Sequence, residues 1–246
     1  MKKEKMLRLT LTAIFTAIVL VVQMVGSSIK VGPVSFSLVL IPIVVGGMLI
    51  GPYGGAFLGF VFGLVTVIGG LTGADPFTAY LLQAGTSSAI FTVLLCLVKA
   101  TAAGLISALI FKALSNENKY LGVILASATA PIVNTGIFVL GTLTVLAAPL
   151  SANTAFVNDT SSLVYFVIIG CAGVNFIVEL LVNIVLSPSV YSFVNAISKL
   201  SPARSQTKAV SSAIPITTGT NTLLTLSAKR AIGAFVLPAS STSRII

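Results

Sequence analysis

The sequence predicts an all-α integral membrane protein with six transmembrane helices and both termini on the cytoplasmic side. Three observations carry this. Of the 246 residues, 56% are hydrophobic and 8% are charged, with a mean hydropathy of +1.10, whereas a soluble domain carries about 25% charged residues. The few charges are also unevenly spread. From Leu9 to Val98 only Lys30 and Asp75 are charged, and from Tyr120 to Leu200 only Asp159, Glu179 and Lys199. Those intervals accommodate the runs of about 20 apolar residues that a bilayer requires. Finally, threading six spans places Lys2, Lys3, Lys5, Arg8, Lys112, Lys119, Lys199 and Arg204 on one side. The other side holds Lys30, offset by Asp75 and Asp159. Basic loops stay in the cytoplasm, which orients the chain.

The elements follow in order. Residues 1–8 form a basic cytoplasmic segment, and the first span covers Leu9–Val25. No clear small-x-small cleavage site follows it, so it reads as an uncleaved helix rather than a signal peptide. A loop from Gly26 to Val34 leads to the second span, Ser35–Ile50, which contains Pro42. Gly51-Pro52 marks a tight turn. The third span, Gly54–Leu71, carries Gly55, Gly59 and Gly63 at intervals of four. That spacing puts all three on one helix face, where another backbone can approach closely. The uncharged stretch Gly32–Gly63 therefore reads as scaffold.

Thr72–Gly85 is a longer outer connection with room for a short helix, and the fourth span covers Thr86–Leu114. A polar turn at Ser115–Lys119 precedes the fifth span, Tyr120–Leu146, which contains Pro131. Proline inside a span is tolerated when neighbours satisfy the freed carbonyl. A second long outer loop, Ala147–Ser162, holds Asn153, Asn158 and Asp159. The sixth span is Leu163–Leu186, and Ser187-Pro188 begins an amphipathic extension to about Leu200. The six-helix membrane domain thus occupies 9–200. The remainder, 201–246, is rich in Ser, Thr and Ala, with five basic residues and no acidic one. It reads as a disordered cytoplasmic tail, with membrane-surface contact through its basic residues as the alternative.

Composition also excludes chemistry. There is no histidine, which removes the commonest metal ligand and general base, and no metal site is expected. Cys96 and Cys171 both fall in apolar runs, where cysteines pack as small hydrophobes. The net charge of +9 reports loop asymmetry rather than nucleic-acid binding.

Against this background a few polar residues stand out. Lys99 lies midway along the fourth span, where a lysine costs roughly 2.5–3.5 kcal/mol to insert. It must face the bundle interior, paired with Glu179 or touching a ligand. Counted from the outer ends of their helices, the two lie about 20 and 24 Å deep, a gap that their side chains can bridge. Asn175, Glu179 and Asn183 are spaced by four and share a face of the sixth span. Asn134 follows Pro131 in the fifth. Such a stripe lines either a cavity or a helix interface. Ala13 and Ala17 form a small-xxx-small pair in the first span, either a docking face or internal packing. Phe36, Phe77, Tyr80, Asn153 and Asn158 lie in the outer loops, placed either to cover a pocket or simply to be solvated.

Taken together, these features resemble the substrate-binding S components of energy-coupling factor (ECF) vitamin transporters. The resemblance rests on the basic N-terminus with Ala13-xxx-Ala17, Ser37-Leu38-Val39-Leu40-Ile41-Pro42-Ile43, Gly51-Pro52-x-x-Gly55-x-x-x-Gly59, Lys99-Ala-Thr-Ala-Ala-Gly104 and Pro131-x-x-Asn134-Thr-Gly136. It covers about residues 5–198. It implies a six-helix subunit that binds a water-soluble vitamin or precursor from outside. The subunit binds no cofactor of its own and works with a membrane coupling subunit and two cytoplasmic ATPases that use ATP. By position, Ala13 and Ala17 inherit the contact with the coupling subunit. The implied pocket lies toward the outer face, which makes Lys99, Asn134, Asn175, Glu179, Phe36 and Tyr80 the candidate substrate-binding residues. General likeness in the second and third spans leans toward riboflavin, while Lys99 points to an anionic vitamin such as pantothenate. A self-sufficient channel or secondary transporter is the competing class. Glu179 is the one carboxylate within a span, which disfavours proton coupling. An intramembrane enzyme lacks a nucleophile with a recognisable base, so no enzymatic activity is expected.

Overall fold

The computed structural model of the chain describes residues 2–27, 30–31, 34–35, 38–152 and 160–200. All of them belong to one unit, Met1–Arg204. Phe36, Asn153, Asn158, Asp159 and the tail from Ser201 lie outside the described residues.

The first element is α1, Lys2–Ser27. A two-residue antiparallel pair follows, β1 (Lys30–Val31) and β2 (Val34–Ser35), with Lys30 opposite Ser35. Then come α2 (Leu40–Ile50), α3 (Pro52–Leu71), the short α4 (Pro76–Gln83), α5 (Thr86–Leu114) and α6 (Lys119–Thr144). A single turn, α7 (Ala147–Ser151), and then α8 (Thr160–Tyr165), a π-helical segment (Phe166–Gly173) and α9 (Val174–Leu200) complete the order. The last three run on as one long apolar rod, Ser162–Ile197.

Five helices among the described residues are long and apolar enough to cross a membrane: Glu4–Gly26, Pro52–Leu71, Thr86–Leu114, Lys119–Thr144 and Ser162–Ile197. The second predicted span is shorter than expected. Helix α2 begins at Leu40, not Ser35, and its 11 residues rise about 16 Å, half of the roughly 30 Å hydrocarbon core. Its burial explains how it is used. Leu40, Pro42, Ile43, Val44, Val45, Gly46, Gly47 and Met48 are all buried, and α1, α3, α5, α6 and α9 surround it. A helix that is apolar on every side belongs inside a protein, and α2 is the axis of the main core, with Phe15, Val19, Leu58, Phe62, Val123 and Val190 among its neighbours.

The glycine face docks as the sequence predicts, and its partner is α5. A β-carbon at Gly55 would strike the carbonyl of Gly104, one at Gly59 the carbonyl of Ala100, and one at Gly63 the carbonyl of Cys96. Three glycines one turn apart therefore lie on a line of carbonyls also one turn apart. Gly51 (φ 110°) joins α2 to α3 in a conformation that suits only glycine.

One of the two proline readings differs. Pro188 does not end a helix: α9 continues through it to Leu200. Pro131 is buried within α6 as predicted. A groove at the Gly51 turn brings together Arg8, Gly51, Lys112 and Ser115, so the starts of α1 and α3 and the end of α5 share one end of the bundle. We call this the basic end; α4 lies at the other.

Candidate functional site

Unpartnered polar atoms gather away from the basic end. Seven buried side-chain oxygens among the described residues have no hydrogen-bond partner. One, Thr16 Oγ1, is on α1. The other six are Asp75 Oδ1 at the start of α4, Thr92 Oγ1 on α5, Asn134 Oδ1 and Thr142 Oγ1 on α6, and Asn175 Oδ1 and Glu179 Oε2 on α9. Each such group costs about 1–3 kcal/mol when left unsatisfied, and native interiors hold few of them. These six, on four different elements in the half of the bundle away from the basic end, are the polar groups available to a bound polar molecule.

An aromatic and aliphatic cluster packs in the same half of the bundle. Phe77 of α4 meets Phe138 of α6 edge-on at 5.8 Å between ring centroids, and Phe166 at 6.5 Å. Leu81, Leu146, Leu150, Leu163, Val167 and Cys171 complete the cluster, with Tyr80 against it. The Tyr80 hydroxyl donates to the Pro149 carbonyl at 2.7 Å and so ties α4 to α7.

Lys99 enters from α5. Its Nζ sits 4.9 Å from the centroid of Phe138, a cation–π contact. The pairing with Glu179 expected from depth is not a contact: Glu179 Oε1 accepts from Asn175 Nδ2 at 3.1 Å, and Oε2 has no partner. Asn134 is buried one turn before Phe138 on α6. The polar stripe on α9 bonds to itself. Asn175 reaches Glu179, and Asn183 Nδ2 donates to the Glu179 backbone carbonyl at 2.8 Å. Asn183 thus serves its own helix rather than bridging to another. Glu179 is 1% exposed.

Of the sequence-predicted residues, the fold therefore brings Lys99, Asn134, Asn175, Glu179 and Tyr80 into one half of the bundle, while Phe36 lies outside the described residues. Ala13 and Ala17 are both exposed on α1, on the side away from buried Phe15 and Val19. This answers the packing question: the small pair faces outward.

Two features were not anticipated. The first is Asp75, read in the sequence only as a charge in the Thr72–Gly85 connection. It occupies the N-cap position of α4 but makes no side-chain cap bond. It is instead buried, with Oδ2 accepting from Thr78 Oγ1 at 2.7 Å. Asp75-Pro76 reads in sequence as a helix start, which hides this second role. The second is the π-helical segment Phe166–Gly173; such segments widen a helix and are frequent at functional sites.

A groove of about 780 Å³ also opens at the basic end. Its walls are apolar or exposed and basic, from Met48 to Arg8 and Lys112, and it contains none of the unpartnered buried atoms. It lacks the placed polar groups that orient a small ligand.

Buried polar groups and clustered aromatic rings inside an apolar bundle are features of a membrane-embedded binding protein. The family profile described as "ECF transporter, substrate-specific component" matches residues 7–191, and the chain belongs to that family. It is thus a multi-pass membrane protein and a transporter subunit of a non-enzymatic family. No curated protein matches the chain.

Proposed function

We propose that the protein captures a water-soluble vitamin, with riboflavin the first candidate, from the outer side of the cell membrane. It hands the vitamin on within an ECF-type importer. The observation carrying this reading is the set of six unpartnered buried oxygens on Asp75, α5, α6 and α9, together with the Phe77–Phe138 and Lys99–Phe138 contacts, in a chain of the substrate-specific family. Lys99, Asn134, Asn175, Glu179 and Tyr80 bind the substrate, and Phe138 and Phe77 supply ring faces in a chain without tryptophan.

In this reading the basic end is cytoplasmic. Lys5, Arg8, Lys112 and Lys119 favour that orientation, and it puts α4 and the candidate substrate-binding residues toward the outside. The chain binds no cofactor and hydrolyses nothing. A membrane coupling subunit, contacted through exposed Ala13 and Ala17, joins it to two cytoplasmic ATPases that supply the energy.

Pantothenate is the second reading. The Lys99 ammonium is not consumed by a contact pair with Glu179, so it remains able to meet an acid. Mass spectrometry of the small molecule released from the purified protein tests both. A single vitamin at near-equimolar amount is expected; ligand-free protein that binds no vitamin in a titration refutes the proposal.

A further inference from the structure

The groove at the basic end plays no part in the substrate-binding reading, and its lining is graded from apolar to cationic. It holds about 780 Å³ between the start of α1, the turn from α2 to α3 and the end of α5. Along α5 its wall runs from Leu105 to Ser115, a rise of about 15 Å. That is the hydrocarbon depth of one leaflet in a bilayer core about 30 Å thick. Its apolar lining includes Leu105, Leu109, Met48 and Ile50, and Leu109 is 46% exposed.

The cationic part of the lining lies where the spans end. Arg8 is the last charge before the apolar run of α1, and Lys112 is the first charge on α5 after Lys99. Both are exposed and both line the groove. Tyr53, 90% exposed, lines it as well, and tyrosine favours the headgroup level of a bilayer, where its ring and hydroxyl meet different surroundings. No acidic residue is in the lining. Basic pockets between membrane helices on the cytoplasmic side suit phosphate-bearing lipid headgroups.

We propose that this groove binds an anionic phospholipid, with the headgroup phosphate at Arg8 and Lys112 and an acyl chain along Leu105 and Leu109. Charge sets aside two other occupants. The tail, residues 201–246, has five basic residues and no acidic one, so the cations of the groove repel it. A second copy of the chain would bring its own Lys5, Arg8, Lys112 and Lys119 to the same place. A free soluble anion satisfies the two cations but leaves the apolar wall uncovered. A phospholipid supplies both the charge and the hydrocarbon. The site uses none of the candidate substrate-binding residues and stands independently of them.

The test is native mass spectrometry of the full-length detergent-purified chain, offered equal amounts of phosphatidylglycerol and phosphatidylcholine with the same acyl chains. Wild type should retain one phosphatidylglycerol at least about tenfold more often than phosphatidylcholine, as two basic residues beside an anionic headgroup imply. Arg8→Gln and Lys112→Gln should each cut that preference about fivefold, while Lys5→Gln, the same charge loss outside the groove, should change it by less than about twofold. Both groove positions are exposed, so the variants should fold, and a melting curve checks this. Excess glycerol phosphate, the headgroup chemistry without chains, should not displace the lipid. Equal retention of the two lipids by wild type overturns the proposal. So does a Lys5→Gln effect as large as that of Lys112→Gln, which would report bulk charge, and so does displacement by glycerol phosphate, which would make the site one for a free anion. Unchanged lipid preference in the groove variants, with loss of co-purifying coupling subunit, would overturn it too and give the groove to that protein.

Discussion

The α3–α5 seam gives the sharpest quantitative test, because α3 carries its own control. Gly59 and Gly69 sit in the same helix. A β-carbon at Gly59 would overlap the Ala100 carbonyl, whereas one at Gly69 meets nothing within 4 Å. Replacing either by alanine improves helix propensity by about 1 kcal/mol. At Gly69 that gain stands alone. At Gly59 the obstacle is backbone and cannot rotate away, so the helices must part, and overpacking of this kind costs about 1–3 kcal/mol. The neighbouring contacts of Gly55 with Gly104 and Gly63 with Cys96 would open as well. The two variants should therefore differ by about 2 kcal/mol, and at about 2–4 °C per kcal/mol for a domain of this size their melting temperatures should separate by several degrees. Cys96 and Cys171 are buried and free, so a thiol-reactive dye reports unfolding directly. A Gly59→Ala protein that melts at or above Gly69→Ala would refute the packing argument. The larger Gly59→Leu should lose folded yield before it changes ligand choice.

Other outcomes are expected. Lys99→Met removes an ion that costs roughly 2.5–3.5 kcal/mol to insert, so melting temperature should hold or rise while vitamin affinity falls; lower stability with unchanged affinity would make Lys99 structural. Tyr80→Phe deletes the bond to the Pro149 carbonyl and should lower stability by about 1 kcal/mol, read as a melting shift. The double change Ala13→Leu and Ala17→Leu, on an exposed face, should leave vitamin binding by the purified chain intact and abolish uptake when the partner subunits are co-expressed; normal uptake would remove these alanines from the coupling surface.

Much of the fold was legible because membrane insertion imposes simple rules. Apolar length and sparse charge predict Thr86–Leu114 to the residue, and periodic glycines predict a docked helix. The short α2 was not legible. Its apolar sequence fits a lipid-facing span as well as a buried core, and periodicity cannot separate the two when every face is apolar. The candidate site was partly legible: a lysine, a glutamate and asparagines inside apolar runs announce themselves by insertion cost. Asp75 did not, because in a connection an aspartate before a proline is explained by helix capping alone. Of the two alternatives for Lys99, a pair with Glu179 or a ligand contact, the structure shows no contact pair. Depth along each helix leaves open the rotations that turn Lys99 onto Phe138 and Glu179 onto Asn175, which are set by packing across the bundle.

The meeting of α3 and α5 through bare backbone has a mechanical consequence. Where side chains interdigitate, an interface can ratchet by switching rotamers. At Gly55–Gly104, Gly59–Ala100 and Gly63–Cys96 there is little side chain to switch, so the two helices behave as a single beam. Motion that admits or releases a ligand therefore falls to what is hung on that beam. The short α4 hangs on that beam between Gly73 at φ 76° and Gly85 at φ 134°, with Asp75 at its leading edge and Tyr80 tying it to α7.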